Sequence, residues 1–324
     1  MSGPPTLLPA GHVHVWCVPL DAPSGPGPAP GALVRVPGPA PGSRRDASGL
    51  RRPAVGALRE PGGATRRAAP PERAAPDEPA PDRARRPDPG CAGGGPGQCA
   101  CGCAGPGAVW CAADWLDAEE RARAARTAPG EPRRRYVHSH AAVRMITAGY
   151  LGTPPERVVW RRGPNGKPVP VVDGAALHVN LSHSGGLALF AVARREVGVD
   201  VEAVRVVPSA LRLAARFLPE EEAAAVAAAG PGRSGILLRL LARKEACVKA
   251  SGGRLTHGLR LPVGEPPTPD GWRPVAGTPG GGPGPGRWSV RDLPVPAGYT
   301  AAVAVLGAGR PRLSVRTWTG FPSP

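Results

Sequence analysis

Lysine is nearly absent from this chain: of 41 basic residues, only Lys167, Lys244 and Lys249 are not arginine. Asparagine occurs twice (Asn165, Asn180), isoleucine twice (Ile146, Ile236), and aromatic residues make up 4%. This is the composition of a gene drawn from GC-rich DNA. A lysine kept against such a drift indicates a need for a compact ammonium on a flexible stem, which the broad fork of arginine does not meet. All three lysines and both asparagines fall between residues 165 and 249, marking that stretch as chemically constrained. Long apolar runs are missing too: the longest, "LALFAVA" at 187–193, is far too short to cross a bilayer. The start, "MSGPPTLLPAGHVHVW", has neither the basic n-region nor the apolar h-region of a secretory signal. The expectation is a soluble, cytoplasmic protein with no membrane partner.

Glycine and proline are abundant, 46 and 45 of 324 residues, a level that signals low-complexity segments. They concentrate between Ala22 and Gly107, where periodicity vanishes into Pro, Gly, Ala and Arg. Such a segment buries too little apolar surface to offset its ordering entropy and is expected to be disordered. Four of the seven cysteines crowd into "CAGGGPGQCACGC" (Cys91, Cys99, Cys101, Cys103), with Cys111 nearby, but without the paired C-x-x-C spacing of zinc sites. The net charge of +16 points to an acidic partner.

Outside that insert the pattern is α+β. "HVHVWCVPL" (12–20) alternates as a strand, and Asp117 is placed to cap a helix with Glu119 and Glu120 in its first turn. A second helix is expected from Pro132 to Tyr150, stopped by Gly152. "ERVVWRRGPNGKPVPVV" has the signal of a hairpin turning at Asn-Gly, which leaves Lys167 exposed just past the turn. Three short strands follow in 177–204, with loops at 182–186 and 194–196. Two helices divided at Pro219, a helix over "LLRLLARKEACVKASGG" (237–253) and closing strands complete the chain. The expected division is a first strand in 1–22, an insert over 23–107, an N-terminal half over 108–196 and a C-terminal half over 197–320. Each half is expected to pack helices on a small antiparallel sheet.

Four constellations carry chemistry. In "GVDVE" (198–202), Asp200 and Glu202 project from one strand face while Val199 and Val201 point into a core. Adjacent carboxylates suit a hard divalent cation, although an isolated D-x-E reads as a solvated strand face. On the 237–253 helix, Glu245 and Lys249 are four apart, a spacing that a surface ion pair explains; Lys244 lies on another flank. Glu245 is a candidate third carboxylate, with Lys244 and Lys249 addressing phosphate oxygens. "NLSHSGG" (180–186) reads as a loop offering Ser182 and His183 to an anion; it lacks the G-x-S-x-G elbow of a serine hydrolase. Lys167 is the fourth.

The ordered set N-G-K-P, N-x-S-H-S, G-V-D-V-E, F-L-P-E-E and R-K-E-A-x-x-K-A-x-G resembles the surfactin-type 4'-phosphopantetheinyl transferases, over about 109–310 plus the first strand. The resemblance implies a pseudo-dimer of two similar α+β halves with coenzyme A bound between them. It implies transfer of the phosphopantetheine arm to a serine of an apo acyl or peptidyl carrier protein, releasing adenosine 3',5'-bisphosphate. Asp200, Glu202 and Glu245 would hold Mg²⁺, Glu245 would be the base, and Lys249, with Lys244, would lie near the pyrophosphate. Ser182 and His183 would contact coenzyme A phosphates, and Lys167, Arg135 and Arg123 would complete an anion-binding rim. A monomer that acts on acidic carriers and binds no nucleic acid is the accompanying expectation.

The chain departs from the family in having Leu241 where an aromatic usually stands, Cys247 where a larger residue is common, and the 23–107 insert. The competing reading is a basic nucleic-acid-binding protein using the arginine-rich insert. No helix-turn-helix, finger or stacking-aromatic pattern supports it.

Overall fold

The computed structural model describes residues 8–21, 112–172, 176–253, 255–264, 266–277, 288–307 and 310–320. The expectations for the 23–107 insert and the cysteines from 91 to 111 lie outside the described residues. Among the described residues no helix is long and apolar enough to cross a membrane.

The elements follow in order: β1 (His12–Pro19), α1 (Ala118–Arg126), α2 (Glu131–Leu151), β2 (Trp160–Arg162), β3 (Pro168–Pro170), β4 (His178–Ser184), β5 (Leu187–Ala193) and β6 (Val197–Ala203). Then come α3 (Ala210–Phe217), α4 (Glu220–Ala228), α5 (Arg233–Ser251), β7 (Trp272–Val275), β8 (Trp288–Asp292), β9 (Tyr299–Leu306) and β10 (Arg312–Thr317). Local chemistry sets the helix ends. Asp117 accepts from the Glu120 N–H at 2.8 Å while Glu120 accepts from the Asp117 N–H at 3.0 Å, a reciprocal capping box. Gly152 and Gly252 close α2 and α5 in the left-handed conformation.

Among the described residues two four-stranded sheets form, in the orders β10-β1-β5-β4 and β6-β9-β8-β7, with β2 and β3 as a separate hairpin. Residue parity builds the layers. On β5, Leu187, Leu189, Ala191 and Ala193 join Val199, Val201, Val303 and Val305 of the other sheet in one shared interior. The alternate residues Ala188, Phe190 and Val192 face α2 through Ala142, Val143 and Ile146. The second sheet turns Ala302 and Ala304 toward α5 and its companions α3 and α4, a core that Leu241 joins as a partly buried member. β5 is therefore buried on both faces, which is why it reads as a continuous apolar run.

The mixed α+β class is as expected, but the last strand departs from the division at 196/197. β10 pairs parallel with β1, so the end of the chain returns to the first sheet. The expected loop at 182–186 is shorter: β4 continues through Ser184, leaving only Gly185 and Gly186 as the turn. Gly185 takes φ of +54°, and a Cβ on Gly186 would fall 2.2 Å from Asp21 Oδ2.

Candidate active site

On β6 the inward parity belongs to Val197, Val199 and Val201, so Gly198, Asp200 and Glu202 share the face toward α5. A Cβ on Gly198 would lie 2.0 Å from Ala246 O and 2.4 Å from Ala250 N. Strand and helix backbones therefore touch, and α5 projects Glu245 and Lys249 beside the two strand carboxylates. One oxygen each from Asp200, Glu202 and Glu245 lie within 4.8 Å of one another. The carboxylate trio expected from the sequence is assembled.

Lys249 binds this cluster through its ammonium, 2.5 Å from Asp200 Oδ1 and 3.8 Å from Glu245 Oε2. From outside, the exposed Arg205 donates to Glu202 Oε2 at 2.9 Å. Burial raises the pKa of Asp200, with Lys249 opposing. Burial first, then the Asp200 charge, lifts Glu245 to about 7, with Lys249 again opposing. Asp200 Oδ2 is buried without a hydrogen-bond partner, a state that costs free energy unless a ligand fills it. Three hard oxygen donors, one an orphan, fit a divalent cation such as Mg²⁺.

Ser182 lies where a loop was expected. It lies on a strand, and alternation buries it while exposing His183. Its hydroxyl donates to Asp200 Oδ1 at 2.8 Å and accepts from Lys249 Nζ at 3.0 Å, so it is engaged with the carboxylate and the ammonium of the cluster. Asn180 and Ser184, missed as functional residues, complete the pattern. Their side chains accept from the N–H groups of Val199 and Ala203 at 2.8 and 3.0 Å, and Ser182 accepts from Val201 N at 3.4 Å. Three alternate side chains of the β4 edge thus satisfy three N–H groups on the β6 edge. The strand-period spacing N-x-S-x-S was the available signal.

Lys244, expected beside the pyrophosphate, is fully buried on the far flank of α5. It forms an ion pair with Glu222 Oε2 at 2.7 Å, at an angle outside that of a hydrogen bond, and donates to Leu261 O. Burial lowers its pKa and the Glu222 carboxylate opposes the shift. Arg135 is likewise engaged: it donates to both oxygens of Asp21, at 2.9 and 2.7 Å, and pairs with Glu131. With Arg134 it braces Asp21 against the Gly186 turn. Lys167 is not free at the turn; its ammonium donates to Val197 O at 3.0 Å and Ala250 O at 2.7 Å.

His183 and Arg123 remain open to solvent. Burial first, then the charges of His140, Lys249 and Arg123, lower the pKa of His183. Beside it is a cavity of about 120 Å³ lined by the carboxylates of Asp117, Glu119 and Glu120, by Arg123 and Arg162, and by the stacked Tyr136 and His140 with Trp160, Leu181 and Phe190.

Fold and site together define an α+β protein with a cluster of three carboxylates able to hold a cation, a lysine within it and an aromatic-lined cavity with charges of both signs alongside. The model of the 4'-phosphopantetheinyl transferase superfamily matches residues 196–304, the span from β6 to β9 that holds all three carboxylates and Lys249. The chain is 33% identical over 198 residues to the 4'-phosphopantetheinyl transferase HetI of Nostoc sp., covering 60% of this chain and 80% of that protein. It is 32% identical over 127 residues to the 4'-phosphopantetheinyl transferase psf-1 of Bacillus pumilus, covering 39% and 53% respectively. A 4'-phosphopantetheinyl transferase of Bacillus subtilis is 27% identical over 150 residues, covering 46% and 63%. The chain belongs to the 4'-phosphopantetheinyl transferase superfamily and is a transferase.

Proposed function

We propose that the protein transfers the phosphopantetheine arm of coenzyme A to a serine hydroxyl of an apo acyl or peptidyl carrier protein, with Mg²⁺ held by Asp200, Glu202 and Glu245. The observation that carries the reading is the convergence of those three carboxylates, one with an orphan oxygen, around Lys249. When bound, Mg²⁺ supplies charge neutralisation at the pyrophosphate oxygens. The exposed His183, and Arg123 on the cavity wall, would contact the adenosine bisphosphate end. Glu245, beside the metal, would take the proton of the attacking serine. The serine oxygen forms a bond to the β-phosphorus as the bond to adenosine 3',5'-bisphosphate breaks. Lys249 sits where it can stabilise charge on the leaving phosphate.

An acidic carrier suits the +16 chain. Arg205 beside Glu202, flanked by the exposed Val204 and Val206, gives such a carrier a basic and apolar approach to the site. Under this reading the two sheets with their helices are the halves of a pseudo-dimer, and the protein works as a cytoplasmic monomer.

The test is the intact mass of several apo carriers after incubation with the protein, coenzyme A and Mg²⁺. A phosphopantetheine increment is expected with the wild type and none with Glu245→Ala, whose fold should persist. No gain on any carrier, or near-normal turnover by the variant, refutes the assignment.

A further inference from the structure

The Asn165-Gly166-Lys167 turn has an occupation that its position in a hairpin did not suggest. Asn165 at φ +55° and Gly166 at φ +81° fold the turn tightly, and Gly163 N donates to Lys167 O at 2.8 Å. Both polar side chains of the turn then reach the C-terminal end of α5. Asn165 Nδ2 donates to Gly252 O at 2.6 Å, and Lys167 Nζ donates to Ala250 O at 2.7 Å. These carbonyls belong to the last turn of a helix, where acceptors have no intrahelical partner and the dipole favours a cation.

The same ammonium donates at 3.0 Å to Val197 O, at the first residue of β6. Lys167 therefore ties the helix carrying Glu245 and Lys249 to the strand carrying Asp200 and Glu202. It does so beside Gly198, where the backbones of strand and helix are already in contact. Arginine would not serve here: two carbonyls on different elements converge on one point, which suits a small ammonium better than a planar fork.

We infer that the Asn165–Lys167 turn is a clamp that caps α5 and fixes its register against β6, making Lys167 a positioning residue for the carboxylate trio and not a ligand of coenzyme A. The inference rests on the metal assignment proposed above. Burial, opposed by Glu196, lowers the Lys167 pKa to about 8, in keeping with an ammonium withdrawn from solvent.

The experiment compares wild type, Lys167→Met and Asn165→Ala in the full chain. Mn²⁺ binding without coenzyme A is read by electron paramagnetic resonance, amide exchange over residues 245–252 by mass spectrometry, and kcat and KM by carrier mass. Loss of an outer support of a metal site weakens metal binding by roughly 10- to 100-fold. For Lys167→Met we expect Mn²⁺ affinity and kcat to fall at least tenfold, faster exchange over 245–252, and a coenzyme A KM within threefold of wild type. Asn165→Ala should move the same readouts less, and it decides the matter if the lysine variant does not fold. Unchanged Mn²⁺ affinity and exchange with a KM raised tenfold would overturn the clamp and restore Lys167 as a ligand. A wild type that binds Mn²⁺ but modifies no carrier would refute the transferase reading alone, because the binding and exchange comparisons still decide the clamp.

Discussion

Lys244→Met separates the structure most sharply from the phosphate role expected for this lysine. Lys244 is 0% exposed and pairs at 2.7 Å with Glu222, itself 4% exposed, while Glu222 Oε1 accepts from Val263 N at 2.6 Å. Methionine keeps most of the stem volume and removes the ammonium. What remains is a buried carboxylate without its counter-charge and a Leu261 carbonyl without its donor. Breaking a buried pair from one side costs about 3–5 kcal/mol. For a domain of this size each kcal/mol lowers Tm by about 2–4 °C, so the expected drop is roughly 6–20 °C. Adding Glu222→Gln neutralises the carboxylate yet keeps an acceptor for Val263 N, so the double variant should recover most of the loss. The strong coupling between the two substitutions is read from a double-mutant cycle by thermal unfolding. Carrier modification, measured well below the lowered Tm, should show a coenzyme A KM close to wild type. A Lys244→Met protein with unchanged Tm and a KM raised tenfold would refute the reasoning and put the ammonium at the phosphates.

Two further predictions concern the site itself. Glu245 keeps its proton up to about 7 in the folded, metal-free protein against an ordinary 4.5, so the folded state binds more protons between those values. Its contribution to stability is then full below 4.5 and lost as pH rises through 7, which predicts a metal-free Tm that falls from pH 5 to 8. A divalent cation must displace that proton, so Mn²⁺ affinity should rise by up to about tenfold per pH unit below 7 and level off above it; an affinity flat from about pH 5.5 to 8 would contradict the assignment. Gly198→Ala places a methyl 2.0 Å from a backbone carbonyl of α5 and should destabilise by about 3 kcal/mol or more, because no flexible side chain can yield. Denaturant unfolding checks it, and a loss below about 1 kcal/mol would mean that helix and strand have room to part.

Much of the framework was legible in the sequence because it is set locally. The Asp117 capping box, the glycine stops at 152 and 252, the Asn-Gly hairpin and the alternation of β6 each depend on residues within a few positions of one another. Period two alone put Asp200 and Glu202 on one face. What misled was the boundary of β4: a Ser-His-Ser sequence before Gly-Gly looks like a loop, yet the strand runs through it and sets the Ser182 hydroxyl against Asp200. Strand β10 was assigned by position to the second half, whereas its place in the first sheet follows from pairing with β1, some 300 residues away.

The three lysines show where the division falls. Five residues separate Lys244 from Lys249, about 140° around a helix. The sequence by itself therefore determined that the two ammonium groups leave α5 on different flanks and that Glu245 accompanies Lys249. Only the tertiary structure decided where each flank leads. One meets Asp200 and Ser182, the other meets Glu222 and Leu261, and the Lys167 stem closes on carbonyls of two elements remote from it in the chain. A long stem on a known face can deliver its charge to solvent, to a ligand or to a buried partner. Which one it meets depends on the elements that pack against that face, and no local pattern encodes that.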